Sequence, residues 1–199
     1  VYKRQGQHPK HSTFFGASDY AVSDDADTAD FTEQGIFGLD PEGNLYAVDW
    51  ISCQSESDIW VDDLLDLTDK WNTILHGAEK GQIDRAIGPW LRKRSIKRSI
   101  YPSMEKMPHI GDKTANARSF QAMAKLGMVY IPICEWGDEL IRQLVKFPGG
   151  AYDDKVDACG LAGRMIDRVH ELRPQQNVEE PKPRDYGFNR TQDTDWKTV

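Results

Sequence analysis

Residues 149–158 read Gly-Gly-Ala-Tyr-Asp-Asp-Lys-Val-Asp-Ala, a Gly-Gly break followed by carboxylates at Asp153, Asp154 and Asp157. Apolar residues then recur at Val156, Leu161, Met165 and Val169, the spacing of a helix that runs from Asp153 to about Val169 and buries one face. Asp154 and Asp157 lie three apart, which places both on one side of the first turn. A helix that opens on clustered acids constrains the fold twice. Its apolar stripe has to pack on a sheet or another helix, and its N-terminal end has to meet something that compensates negative charge. Taken alone, the motif suits a simple cap, with Asp153 at the N-cap and favourable first-turn charges after it. It equally suits one end of a divalent-cation site, and the rest of the chain has to decide.

At 199 residues the chain is long enough for one well-buried core. The balance of 25 Lys and Arg against 32 Asp and Glu gives a formal charge of −7, so bulk charge does not coat nucleic acid and any DNA contact comes from a local patch. Cys53, Cys134 and Cys159 are odd in number and lack CxxC spacing, which points away from a disulfide framework or zinc site and toward a reducing compartment. No apolar run approaches the roughly 18 residues of a membrane span, and no secretory pattern opens the chain. Residues 1–11 are polar and basic and start at Val1, as a linker cut from a longer chain would. Residues 12–173 read as the folded domain. Residues 174–199, with Pro174, Pro181 and Pro183, read as a polar tail mostly disordered in isolation, in which Trp196 and Phe188 are the large apolar residues.

Within the domain, residues 12–18 form an apolar run that reads as a buried strand and delivers Asp19 at its end. An acidic, solvated loop follows at 24–30. Residues 35–39 and 45–52 are rich in strand formers and are joined by Asp-Pro-Glu-Gly-Asn, a turn, so the early chain reads as a three-strand antiparallel meander. The spacing of Ile59, Trp60, Leu64, Leu65 and Leu67 predicts a helix over 57–70. Residues 73–78 then form a strand that delivers Glu79, and a right-handed crossover makes it parallel to the first. A second helix over 82–93 is kinked or broken at Pro89. Arg92, Lys93, Arg94, Lys97 and Arg98 make the dense basic run of the chain, suited either to a solvated helix end or to phosphate contact. Further on, 99–101 reads as a short strand, 102–111 as loop, 112–126 as a helix stopped by Gly127, 128–131 as a strand and 137–146 as a helix. Trp50, Trp60, Trp71, Trp90 and Trp136 read as core or core-edge residues, Lys155 as a solvated first-turn residue, and His76 and His109 carry no assigned chemistry.

If the strands that end at Asp19 and Glu79 are parallel neighbours, both acids sit at the same carboxyl edge of the sheet, where the last helix can bring Asp154. Carboxylates held that close raise one another's pKa. Mg²⁺ or Mn²⁺ resolves the conflict, since both take hard oxygen ligands and few protein carboxylates. Two such ions about 4 Å apart activate a water and stabilise the leaving oxygen in phosphodiester hydrolysis.

A series of motifs supports that reading: Asp112-Lys113 with Ala117-Arg118, then Gly127-Met128-Val129-Tyr130-Ile131-Pro132, Trp136, Phe147-Pro148-Gly149, and Asp153-Asp154-Lys155-Val156-Asp157-Ala158. In this order they resemble the nuclease domain of the large terminase subunit of tailed bacteriophages, over roughly residues 13–170. The resemblance implies an α/β, RNase H-like mixed sheet, an antiparallel three-strand meander plus parallel strands flanked by helices. It implies a divalent-metal-dependent endonuclease that cuts concatemeric viral DNA during packaging, in the cytoplasm of the infected bacterial host. By the same resemblance Asp19, Glu79 and Asp154 are the catalytic, metal-binding triad for two Mg²⁺ or Mn²⁺, and Asp153 and Asp157 are further ligand candidates. Lys113, Arg118 and the basic run are the candidate contacts to double-stranded DNA, and Asp30 has a supporting role. The portal protein, the small terminase subunit and an ATPase domain are implied as partners. The phosphate-loop motif Gly-x-x-x-x-Gly-Lys-Ser/Thr does not occur in this sequence. Tyr152 stands where the family has His. The alternatives are another RNase H-like nuclease such as a junction resolvase, or a non-catalytic domain that docks on a portal.

Overall fold

A computed structural model of the chain describes residues 3–6, 12–21, 31–150 and 153–173. The acidic loop with Asp30, the residue Tyr152 and the tail from residue 174 lie outside the described residues. The early apolar runs form β2 (Thr13–Asp19), β3 (Thr32–Leu39) and β4 (Leu45–Cys53), paired antiparallel as a meander and preceded by β1 (Lys3–Gln5). Asp40 closes the β3–β4 turn by accepting bonds from the backbone N–H of Asn44 at 2.7 Å and its side-chain amide at 2.9 Å.

From the meander, α1 (Ser57–Trp71) carries the chain to β5 (His76–Glu79), which pairs parallel to β2. The register is Gly16↔His76, Ala17↔Gly77 and Ser18↔Ala78. Asp19 and Glu79 are the next residue on each strand, so they leave the sheet side by side at its carboxyl edge. A helical stretch follows in three parts: α2 (Lys80–Gln82), a π-helical turn (Ile83–Ile87) and α3 (Gly88–Arg98). The break expected at Pro89 takes the form of that π turn. Pro89 itself lies in the first turn of α3, where a missing N–H is tolerated, and the helix continues to Arg98 rather than ending near residue 93.

β6 (Met104–Met107) then pairs parallel to β5. The strand therefore lies in the stretch read as loop, and 99–101 is not one. Its residues are half-buried or exposed, without the alternation that marks a strand in sequence, and backbone pairing to the free edge of β5 places it. The remaining elements are α4 (Lys113–Lys125), β7 (Val129–Pro132), α5 (Glu135–Lys146), α6 (Asp154–Arg164) and α7 (Ile166–Leu172).

Among the described residues the sheet has seven strands in the order β1-β7-β4-β3-β2-β5-β6, and β3 alone runs against the others. This is the α/β mixed sheet expected from the meander and its parallel additions. Lys3–Gln5, read from sequence as part of a linker, adds an edge strand parallel to β7. One face of the sheet buries Phe15, Ala17, Phe37 and Leu39 against Phe120, Leu140, Leu161 and Val169 of the last four helices. The other packs Tyr20 and Ala78 against Trp60, Leu64, Leu65, Ile83 and Ile87. Trp50 and Trp60 are buried as expected, whereas Trp90, on the outer side of α3, is exposed.

α4 and α6 approach closely because α6 carries glycine at the crossing. A Cβ on Gly163 would stand 2.6 Å from the backbone nitrogen of Phe120, and one on Gly160 would stand 3.0 Å from the carbonyl oxygen of Asn116. This packing sets the position of α6, and with it the acids of its first turn. Gly163→Ala is therefore expected to destabilise the fold by about 2–3 kcal/mol, because backbone rather than a flexible side chain must move. Gly81→Ala, where nothing lies within 4 Å of the added carbon, is expected to be neutral or stabilising by up to about 1 kcal/mol. Urea denaturation of both variants beside the wild type checks the pair.

Candidate active site

The three segments that carry the sequence-derived acids meet at one edge. β2 ends at Asp19, β5 ends at Glu79, and α6, which packs against both strands, begins at Asp154. Asp19 is pushed up to about 7, first by burial and then by the negative charges of Asp157, Glu79 and Asp154, against a lowering bond from Gln82. These four acids share one electrostatic environment. Asp153 is engaged differently. It occupies the N-cap position of α6 without a capping bond, and its carboxylate is turned to Lys113 instead.

Asp19, Glu79, Asp153 and Asp157 are each held by a neighbour, and two of these neighbours, Gln82 and His109, were given no role from the sequence. Gln82, in the first turn after β5, donates its amide to Asp19 Oδ1 at 2.6 Å and accepts the backbone N–H of Tyr20 at 3.3 Å. Both ends of one amide thus fix the end of β2. Glu79 Oε2 lies 2.8 Å from His109 Nδ1. Lys113 Nζ lies 2.6 Å from Asp153 and 3.2 Å from Asp157. Burial raises the pKa of Asp157, offset in part by the charge and hydrogen bond of Lys113. Burial pulls Lys113 down, but its bond to Asp153 and the charge of Asp157 outweigh it, and the net shift is upward. Arg164 reaches over from the far end of α6, donating to Asn116 Oδ1 at 3.0 Å and to the carbonyl of Pro108 at 2.8 Å.

In this arrangement no three His, Cys, Asp or Glu side chains among the described residues are gathered closely enough to hold a metal ion. The donor set nonetheless fits one chemically. Hard carboxylate oxygens from three separate elements, with one acid pushed up first by burial and then by the neighbouring carboxylates, form an environment that a hard divalent cation relieves. Asp19, Glu79 and Asp154 are the residues that could hold it, with Asp157 in the same electrostatic environment.

Lys155 is a correction to the sequence reading. It is buried rather than solvated, and its ammonium lies 2.9 and 2.8 Å from the two carboxylate oxygens of Glu33. It also donates to Ser52, and Glu33 accepts from the indole N–H of Trp50. The backbone N–H of Lys155 reaches Gln143 of α5 at 3.2 Å. The first turn of α6 is thereby tied to β3, β4 and α5. A cavity of about 600 Å³ opens beside it, with Phe31, Glu33, Trp136, Gln143, Asp154 and Lys155 in its lining.

The candidate DNA-binding residues fall into two groups. Lys113 and Arg118 stand on α4, with Lys113 in the acidic cluster and Arg118 exposed. The basic run begins about 18 Å along the helical stretch from Lys80, at 1.5 Å per residue. There Arg94 pairs with Asp58 and Asp62, and Arg98 with Asp62 and Asp66, all on α1. Arg92, Lys93 and Lys97 are exposed. The structure thus gives Arg94 and Arg98 a second occupation, neutralising the acidic face of α1.

No family model matches the chain, and no curated protein matches it. Solved structures do match in fold. The large terminase nuclease of the thermophilic phage G20c superposes with a TM-score of 0.59 at 13% identity, covering 79% of this chain and 84% of that one. The nuclease domain of the Thermus phage P74-26 large terminase gives 0.56 at 14% identity, over 77% and 80%. The HK97 bacteriophage large terminase gives 0.57 at 11% identity, covering 80% of this chain and 41% of that longer one. The G20c nuclease has also been solved with bound magnesium, cobalt and zinc. The chain has the fold of large-terminase nuclease domains.

Two outcomes follow from the site's electrostatics. Lys155→Met leaves Glu33 charged and buried without its partner and is expected to cost about 3–5 kcal/mol, most of it recovered in the double variant Lys155→Met/Glu33→Leu. Chemical denaturation of the single and double variants measures both. His76 is fully buried, and burial lowers its pKa to about 3 from an ordinary 6.5. As pH falls below about 6.5 the unfolded chain takes up a proton there that the folded protein refuses, so this group costs stability at about 1.4 kcal/mol per pH unit. The stability of the wild type relative to His76→Gln is expected to fall with that slope between pH 6 and pH 4.5 in metal-free buffer. Asp19, shifted upward, contributes with the opposite sign in both proteins and drops out of the difference.

Proposed function

We propose that this chain is a divalent-metal-dependent DNA endonuclease of the kind that cuts concatemeric viral DNA during genome packaging, acting in the cytoplasm of an infected bacterium. The observation that carries the reading is the meeting of Asp19, Glu79 and Asp154 from β2, β5 and α6 at one sheet edge, in a fold shared with large-terminase nucleases. Among the described residues no helix is long and apolar enough to cross a membrane.

Asp19, Glu79 and Asp154 hold Mg²⁺ or Mn²⁺ in this reading, with Asp153 and Asp157 as auxiliary ligands. Bound there, two such ions would lower the pKa of a water and polarise the scissile phosphate. The chain's own groups prepare that chemistry. Gln82 fixes the carboxylate of Asp19 so that it does not have to be ordered during the reaction. The Lys155–Glu33 pair anchors the turn that presents Asp154. Lys113 and Arg118 on α4, and Arg92, Lys93 and Lys97 on α3, supply phosphate contacts that an acidic protein needs locally, while Arg94 and Arg98 offer fewer because α1 already engages them. In this reading, as the sequence resemblance implies, an ATPase domain, the small terminase subunit and the portal are the partners, with residues 174–199 as a docking segment.

The test is cleavage of supercoiled plasmid in Mg²⁺ or Mn²⁺. The wild type is expected to nick and linearise it and to stop on chelation. Asp19→Ala, Glu79→Ala and Asp154→Ala are each expected to lose at least about 100-fold of that activity with an unchanged circular dichroism spectrum. Full activity in the Asp19 or Asp154 variant overturns the assignment. Preferential cutting of four-way junctions over linear duplex would make the chain a junction resolvase instead.

A further inference from the structure

The cavity of about 600 Å³ beside the first turn of α6 has the size of a small-molecule site, roughly 300–1,000 Å³. Asp154 stands in its lining, so whatever enters lies next to the acids of the sheet edge. Its aromatic walls are Phe31, on the solvent side, and Trp136, which stacks on Trp50 with ring centroids 6.0 Å apart and planes 27° from parallel. Trp50 is itself fixed, because its indole N–H donates to Glu33 and the Lys155 ammonium lies 5.4 Å from its ring centroid. Trp136 is therefore a backed platform rather than a loose side chain. The charges of the lining exclude an anion. Lys155 is engaged by Glu33 at 2.8 and 2.9 Å, and Arg142 by Glu139 at 2.6 Å, while Glu135 and Asp154 add further negative charge. A phosphate would find both cations already paired and carboxylates around it. The lining instead offers aromatic surface and an excess of hydrogen-bond acceptors, which suits a flat, uncharged ligand that carries N–H donors.

We propose, resting on the nuclease reading above, that this cavity takes one nucleobase turned out of the DNA stack at the nucleotide next to the scissile phosphate, and that it favours bases with an exocyclic amine. Phe31 and Trp136 supply stacking faces, which are tolerant of sequence. The carboxylates of Glu135 and Glu139 accept from the amino groups of cytosine, adenine or guanine, and thymine has no such group. Leaving the stack costs least where the nucleotide is already unpaired. The chain on this account cuts fastest beside an unpaired amino base, a preference that the acids of the sheet edge do not supply by themselves.

Two measurements on the whole chain test the proposal. The first needs no cleavage: a linear duplex with one unpaired 5-iodocytosine is irradiated with the protein in Ca²⁺, and the crosslink is mapped by mass spectrometry. Phe31 and Trp136 are the expected sites. Crosslinks confined to α3 or α4 overturn the proposal. The second is the cleavage rate in Mn²⁺ of linear duplexes that carry an unpaired cytosine, an unpaired thymine or an abasic residue at one position. Cytosine is expected to be cut at least about tenfold faster than the abasic duplex, with thymine between them. Phe31→Ala is expected to bring cytosine within about threefold of the abasic rate. It is chosen over a Trp136 variant because Trp136 also packs against the core. The double variant Glu135→Gln/Glu139→Gln is expected to erase the difference between cytosine and thymine while both stay above the abasic rate. Equal rates on all three duplexes, or a cytosine preference untouched in Phe31→Ala, overturn the proposal. Absence of cleavage of every duplex in Mg²⁺ and Mn²⁺ would bring down the nuclease reading instead, and the crosslink would still decide whether a base enters the cavity.

Discussion

The parallel register of β2 and β5 is the constraint on which the rest of the molecule depends. It requires α1 as a crossover, and it sets Asp19 beside Glu79 because each follows the last residue pair of the ladder. The pairing is possible only where side chains leave room. A Cβ on Gly16 would fall 1.9 Å from the imidazole of His76, and one on Gly77 would fall 2.1 Å from the sulfur of Met165. His76 is in turn accepted into the interior by Ser18, whose hydroxyl lies 2.6 Å from its Nε2. The glycines that allow α6 to pack on α4 play the same part for the third acid. Two close approaches, one within the sheet and one between helices, bring three distant segments to a single edge.

Bringing acids together costs free energy, and the surrounding structure shows how that cost is met. Gln82 offers Asp19 a neutral donor, His109 pairs with Glu79, and Lys113 brings a full positive charge to Asp153 and Asp157. None of these fully compensates Asp19, which keeps a strongly raised pKa. In the turn that begins at Asp154, Lys155 forms a buried ion pair with Glu33, the remaining hydrogen-bonding capacity of the pair being turned to Ser52 and Trp50. Such pairs add little net stability, yet losing one partner is expensive, so they hold a geometry firmly. That firmness is invested in the turn that carries Asp154.

Much of this was legible from residue order. The meander, the turn at Asp40 and the helix over 57–70 follow apolar spacing, and the structure reproduces each within a few residues, whereas the last helix, read as continuous to about Val169, is broken at Met165 into α6 and α7. The acids at Asp19 and Glu79 were legible because each stands at the end of an apolar run. β6 was not, since a half-exposed edge strand has no pattern of its own, and neither was the buried role of Lys155. A lysine in a first turn ordinarily points to water, and only the acid 122 positions earlier in the chain reverses that choice. Trp90 fails in the opposite sense, because an aromatic on a helix suggests core until the packed face of α3 is known.

The sequence by itself therefore determined the fold class, the strands of the meander, and which acids are candidates, because periodicity and strand-end position are local properties of a chain. Tertiary structure alone decided which acids share a field, which partner holds each, and that the basic run divides between exposed residues and ion pairs with α1. Gln82, His109, Glu33 and Lys113 acquire their roles only when helices and strands far apart in sequence meet. The physical reason is range. Hydrophobic patterning acts along a few turns or strand residues, whereas charge compensation in a half-buried site is settled across space by whichever groups the packed backbone leaves within reach.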